Sequence, residues 1–136
     1  GAQLQVLLLM PESPLADARN EAISNNTIND VPFIAEHVQD GVRGNINQLS
    51  KMRELLGNDD RGRFNVRFYN SLPSFSIYQT GNYAVMSLYF HGGLAISSPQ
   101  FEFETDSYVG QKMMVEFQIL WHSSVPHVLF ADQHTF

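Results

Sequence analysis

The chain of 136 residues contains no cysteine, which excludes disulfide bridges and thiol chemistry. Only eight residues are lysine or arginine, against fourteen aspartates and glutamates, and the net charge is −6. Proteins that bind a nucleic-acid backbone usually gather basic residues on one face, so the composition argues against direct nucleic-acid binding. The longest apolar run, residues 6–10, is too short to cross a bilayer, which needs about 20 residues.

Targeting signals are also missing from the N-terminus, which lacks the basic region and cleavage pattern of a signal peptide. We therefore expect a cytoplasmic protein. The chain starts with Gly1 rather than Met, which suggests a processed tag and a domain cut from a longer protein. No repeat or linker divides the sequence, and we predict one domain over residues 1–136.

Aromatic residues are plentiful, with ten phenylalanines and five tyrosines, whereas only 16% of the residues are charged. This balance suggests that part of the surface is covered by another chain or segment.

The apolar periodicity predicts an α/β domain, a mixed sheet with helices on both faces. Residues 4–10 form a continuous apolar run, which is typical of an interior parallel strand. A helix is predicted over residues 15–23, with Ser13 as its N-cap. A second helix is predicted over residues 41–56, with Gly57 at its C′ position.

The second half of the chain predicts three strands and a long helix. Residues 64–69 alternate in polarity, as a strand with two unlike faces does. The turn at residues 80–82 joins two further strands, 74–79 and 83–91, into a hairpin. The last helix is predicted over residues 107–121.

This order of elements, followed by Gly92-Gly93, Ser98-Pro99 and a helix with Phe117 and Trp121, resembles half of a phospholipase D-like domain. Such domains serve as sensor or effector modules in some bacterial and archaeal regulators. The resemblance covers most of residues 4–124 and implies the corresponding α/β fold.

The resemblance does not imply the family's enzymatic activity. A catalytic half carries His-x-Lys followed by Asp on the first hairpin strand and its turn, where the histidine is the nucleophile and the lysine stabilises phosphate charge. The matching stretch, residues 73–82, contains no histidine, lysine or aspartate. We therefore expect a catalytically silent domain, since a fold alone does not carry activity.

A candidate ligand site is predicted at the carboxyl edge of the first strand, where open parallel sheets bind ligands. Arg67 and Tyr69 share one strand face, and an arginine fork suits phosphate or carboxylate. If the strands are adjacent, serine and tyrosine side chains of the hairpin join them. The predicted set is Arg67, Tyr69, Ser76, Tyr78, His91, Gly92, Glu12 and Ser13. The alternative is a buried Arg67–Glu12 pair or plain sheet surface.

Metal binding is not expected from the remaining histidines and carboxylates. The spacings of His122, His127 and His134 do not place their nitrogens on one helical face, and the acidic residues 102, 104 and 106 are typical of a solvated edge. No cofactor is expected.

The last helix supplies the predicted interface, formed by Met114, Phe117 and Trp121. Phospholipase D-like halves usually pair, so the resemblance implies a homodimer with an isologous interface. Our hypothesis is a non-catalytic regulatory domain that binds a small anionic ligand, a nucleotide or phosphorylated metabolite. The alternatives are a purely structural dimerisation domain and a phosphodiesterase-type hydrolase that uses His91.

Overall fold

The computed structural model describes residues 2–24, 38–72, 74–90 and 97–127. In these ranges the chain has four helices and six strands. The helices are α1 (Pro14–Ser24), α2 (Val38–Glu54), α3 (Asn58–Arg61) and α4 (Tyr108–Ser123). The strands are β1 (Leu4–Leu9), β2 (Phe64–Tyr69), β3 (Phe75–Thr80), β4 (Tyr83–Leu88), β5 (Gln100–Glu104) and β6 (Val125–Pro126).

The strands form two three-stranded sheets, in the orders β1-β2-β6 and β3-β4-β5. The predicted α/β class is confirmed. The expectation of one mixed sheet is wrong for the described residues, because β2 and β3 pair with different partners. The polar faces of β2 and β3 are consequently not neighbours in one sheet.

The first sheet contains the main apolar cluster. Its parallel β1–β2 pair aligns Val6 with Val66 and Leu8 with Phe68. Phe64 and Val66 are buried, and side chains of β1 and of the α2 region pack against them: Val6, Leu8, Leu49 and Leu56. Because successive strand residues point to opposite faces, the neighbouring residue Arg67 points away from this cluster, towards α4.

The second sheet is antiparallel throughout. The predicted hairpin is confirmed, and its turn places Gly81 at a φ of 57°. Residues with a Cβ rarely adopt this left-handed conformation, and glycine adopts it without steric cost.

Of the two helix caps predicted from the sequence, Ser13 is confirmed and Gly57 is not. Ser13 accepts a hydrogen bond from the Leu15 amide at 3.1 Å, and Ser107 caps α4 by accepting one from Gly110. The predicted C′ role of Gly57 is wrong, because Gly57 is extended (φ −63°, ψ 159°) and begins α3. Asp59 and Asp60 in the first turn of α3 favour this new helix start, since carboxylates stabilise the positive end of a helix dipole.

In the ranges given above, no helix is both long enough and apolar enough to cross a membrane.

We predict that Gly110→Ala destabilises the protein, because α4 approaches the β5 turn closely at this position. A Cβ on Gly110 would overlap the carbonyl oxygen of Glu104 and lie 2.7 Å from the Cα of Thr105. Overpacking against backbone costs about 1–3 kcal/mol or more, which urea denaturation measures.

The matched control is Gly44→Ala in α2, where an added Cβ would meet no atom within 4 Å. Alanine favours a helix over glycine by up to about 1 kcal/mol, so this variant is expected to be neutral or stabilising. Equal losses in the two variants would contradict the proposed close contact.

Candidate functional site

Two parallel strands end together at one edge of the first sheet. Leu9 pairs with Tyr69 in the last register position, and the Met10 amide donates to the Tyr69 carbonyl at 2.9 Å. Carboxyl ends of parallel strands are where open α/β sheets bind ligands. This edge therefore remains the candidate site.

Ser13 has a structural role at this edge. It is 1% exposed, and its hydroxyl caps α1 while donating to Oδ1 of Asn70 at 2.5 Å. These two hydrogen bonds connect the start of α1 to the end of β2, so Ser13 holds these two elements together at the edge of the sheet. Glu12, the next predicted residue, is exposed and forms an ion pair with Arg43 at 3.7 Å.

Arg19 of α1 supplies the positive charge at this edge. Its guanidinium carbon lies 5.1 Å from the centre of the Tyr89 ring, within the range of a cation–π contact. One of its amino groups donates to the carbonyl of Phe90 at 2.5 Å. Partial burial lowers the pKa of Arg19, and Tyr89 and Tyr69 act in the opposite direction. An arginine nevertheless stays charged in proteins.

Two tyrosines, Tyr69 and Tyr89, lie near this arginine, and Tyr78 lies near Tyr89. Burial raises the pKa of Tyr69. The nearby Tyr89 raises this pKa further, whereas Arg19 lowers it. Burial likewise raises the pKa of Tyr89. Tyr78 raises this pKa further, and a hydrogen bond with Ser76 lowers it. The phenols of Tyr69 and Tyr89 are therefore neutral at physiological pH. They have hydroxyl groups that can donate hydrogen bonds beside the guanidinium.

The structure thus brings together Tyr69, Ser76 and Tyr78 of the predicted set, although β2 and β3 lie in different sheets. Tyr89, just beyond β4, links them, since it is hydrogen-bonded with Ser76 and lies near enough to Tyr78 for that residue to raise its pKa. We name this group, consisting of Arg19, Tyr69, Ser76, Tyr78 and Tyr89, the arginine–tyrosine cluster.

Arg67 lies elsewhere and binds the end of α4. Its Nε donates to the Ser124 hydroxyl at 2.7 Å and its Nη2 to the Ser124 carbonyl at 2.6 Å. Its guanidinium carbon also lies 5.3 Å from the centre of the Trp121 ring. The alternative Arg67–Glu12 pair does not form, because Glu12 pairs with Arg43.

The predicted residues His91 and Gly92 lie outside the described residues, as does His134. His127 packs its ring against Phe68, with 5.3 Å between centres, and burial lowers its pKa. Across the described ranges, no three histidine, aspartate or glutamate side chains are grouped to hold a metal ion.

The predicted interface residues lie on the side of α4 that carries Trp121. Phe117 stacks on Trp121 with 5.9 Å between ring centres, and Trp121 contacts Arg67 on the side that faces the first sheet. Met114, seven residues before Trp121, also borders an open apolar groove that includes Val115 and Ile119.

Sequence reasoning did not find Arg19 and Tyr89. A signal was present for Arg19, which is the only lysine or arginine in the first 42 residues and follows the first parallel strand on α1. Tyr89 had no comparable signal, because its role depends on how the second sheet lies against α1.

Comparisons with protein-family models, with curated proteins and with solved structures gave no match. The site is therefore interpreted from its own geometry.

We predict that Arg67→Ala lowers the free energy of unfolding by about 2–3 kcal/mol, because hydrogen bonds to charged groups contribute about 1.5–3 kcal/mol. Urea denaturation measures this loss. The control is Arg43→Ala, whose exposed ion pairs are each worth about 0–1 kcal/mol. A loss for Arg67→Ala no larger than the control would show that the contact with α4 does not stabilise the fold.

We also predict that the protein loses stability in alkali. Tyr69 and Tyr89 have a higher pKa in the folded state than in the unfolded state. Their contribution is therefore complete below the unfolded pKa of about 10 and is lost as the pH rises through the folded pKa. Urea denaturation across this range should show a shallower decline for Tyr69→Phe. An unchanged pH dependence would contradict the burial of this phenol.

Proposed function

We propose that this domain is a non-catalytic regulatory module that binds a small anionic ligand, a nucleotide or phosphorylated metabolite, at the arginine–tyrosine cluster. The observation that carries the proposal is the position of Arg19 near Tyr69 and Tyr89, with Tyr78 near Tyr89, at the carboxyl edge of a parallel strand pair. The proposal keeps the predicted edge of the sheet and assigns the anion-binding role to Arg19 in place of Arg67.

Charge is the first support for an anionic ligand. The whole chain carries a net charge of −6, so a small anion requires a local cation to bind. The five N–H groups of a guanidinium form a planar fork that suits phosphate or carboxylate oxygens. Partial burial strengthens such contacts, because the local dielectric constant is lower than that of water.

Aromatic surface is the second support and favours a ligand that contains a ring. The Tyr78 side chain is 75% exposed and lies close enough to Tyr89 to influence its pKa. A planar base or ring can stack on such an exposed aromatic face. The neighbouring neutral phenols add donors that can orient a polar ligand.

The chemistry of the cluster supports binding rather than turnover. Its described members supply one guanidinium, one serine hydroxyl and three tyrosines, and none of these forms a nucleophile–base pair with another.

The order of elements is the support for the kind of module. It includes the parallel β1–β2 pair, the β3–β4 hairpin and α4, and it resembles the order in a phospholipase D-like half. We therefore infer a silent module of that kind, acting as a homodimer.

The second candidate is a structural dimerisation domain without a ligand. It is favoured by α4, where Val115 and Ile119 are more than half exposed. This function requires the α4 surface and tolerates changes in the arginine–tyrosine cluster, so variants of Arg19 distinguish the two candidates.

We predict that Arg19→Ala weakens binding of a mononucleotide at least tenfold, because a hydrogen bond to a charged group contributes about 1.5–3 kcal/mol. Isothermal titration with AMP, GMP, CMP, UMP and inorganic phosphate identifies the ligand and measures the change. Arg19→Lys keeps the charge and loses the planar fork, so we expect an intermediate affinity.

The matched control is Arg43→Ala, which removes a more exposed arginine outside the cluster and should leave the affinity unchanged. The ligand site would be rejected if none of these compounds bound, or if Arg19→Ala and Arg43→Ala bound equally well.

A further inference from the structure

The side of α4 that faces away from the sheets carries three exposed apolar residues, and Lys112 lies among them with its ammonium nitrogen 5.5 Å from the centre of the Tyr108 ring. Tyr108, Val115 and Ile119 are 76%, 55% and 57% exposed, and their spacing of seven and four residues places them on one helical stripe. Met114, on the neighbouring side of the helix, lines an open groove with Val115 and Ile119. We call Tyr108, Val115 and Ile119, with Lys112 and Glu116 at their border, the outer face of α4.

The opposite side of α4 is already occupied within the chain. Gly110 lies against the backbone of the β5 turn, and Trp121 packs on Arg67. The exposed stripe is therefore not a core surface that a small rotation of the helix would bury. Exposed apolar residues grouped on one side of a helix are a surface that can mark an interaction site.

Charge indicates which partner fits this strip. Lys112 and Glu116 are four residues apart on the same border, and neither forms an ion pair with another described residue. In an antiparallel pair of α4 helices with the two-fold axis near Val115, the Lys112 of each copy comes close to the Glu116 of the other. Two reciprocal ion pairs then flank a centre formed by Val115 and Ile119.

Other partners fit the outer face less well. Insertion into an anionic membrane surface requires a polar face rich in lysine and arginine, whereas this border carries one cation and one anion. Two copies with a net charge of −6 each repel one another over most orientations. A strip with balanced charge is the kind of surface on which they can nevertheless approach closely.

We propose that the outer face of α4 binds the same face of a second copy of this chain, with the two helices antiparallel. This proposal names the surface of the homodimer proposed above and rests on it, and it does not depend on the ligand site. A helix of 16 residues is about 24 Å long. One such helix pair buries less than the roughly 800 Å² per partner of a standard interface, so the dimer should dissociate on dilution.

Sedimentation equilibrium of the full chain over a wide concentration range tests the surface. Wild-type protein should show a monomer–dimer equilibrium, and Ile119→Asp should raise the dissociation constant at least tenfold, because it places a carboxylate in the apolar centre. Leu55→Asp is the matched control. It makes the same change at a position that is 87% exposed and outside α4, and it should leave the dissociation constant unchanged.

A charge exchange tests the antiparallel arrangement. Lys112→Glu should weaken the dimer, because it opposes two carboxylates, and the double variant Lys112→Glu, Glu116→Lys should recover the wild-type dissociation constant. Far-ultraviolet circular dichroism shows whether each variant keeps its helix content.

Two results would overturn the proposal. An unchanged dissociation constant for Ile119→Asp would leave the homodimer standing and reject this surface. A wild-type protein that stays monomeric at every concentration would reject both the homodimer and the surface. Titration of Arg19→Ala with mononucleotides reports separately on the ligand site.

Discussion

The parallel pairing of β1 and β2 is the constraint on which the rest of the described structure depends. Parallel strands cannot be joined by a tight turn and require a long crossover connection, which here includes α1, α2 and α3. The register that aligns Val6 with Val66 also builds the apolar cluster around Phe64 and Val66. Both strands then end at one edge, and this edge receives the start of α1.

Two arginines that look alike in the sequence have different roles because of this geometry. Arg67 is a strand residue whose side chain points away from the apolar cluster, and it binds the end of α4 through Ser124 and Trp121. Arg19 is a helix residue at the carboxyl edge, where it lies over the ring of Tyr89. The first contact joins β2 to the end of α4. The second joins α1 to the chain just after β4 and places a charged group beside the neutral phenols of the proposed ligand site.

The two sides of α4 have different roles, one in the fold and one in the proposed homodimer. The side with Gly110 and Trp121 attaches the helix to both sheets through backbone contact and ring stacking, whereas Val115 and Ile119 face outward. In the proposed homodimer the outer face pairs the helices, and the arginine–tyrosine cluster lies on other elements. A substitution in either region should therefore affect one property without removing the other.

The α/β class, the hairpin at Gly81 and the cap at Ser13 follow from the sequence alone, because each depends on periodicity or on the chemistry of a few adjacent residues. The sequence also pointed to the carboxyl edge of the first sheet, where Tyr69 lies near Arg19. It did not determine that β2 and β3 belong to different sheets, since local alternation of polarity is the same whichever strand lies alongside. Nor did it separate Arg19 from Arg67 as the charged residue of the cluster. These points depend on contacts between segments that are 50 or more residues apart, which local sequence patterns do not encode.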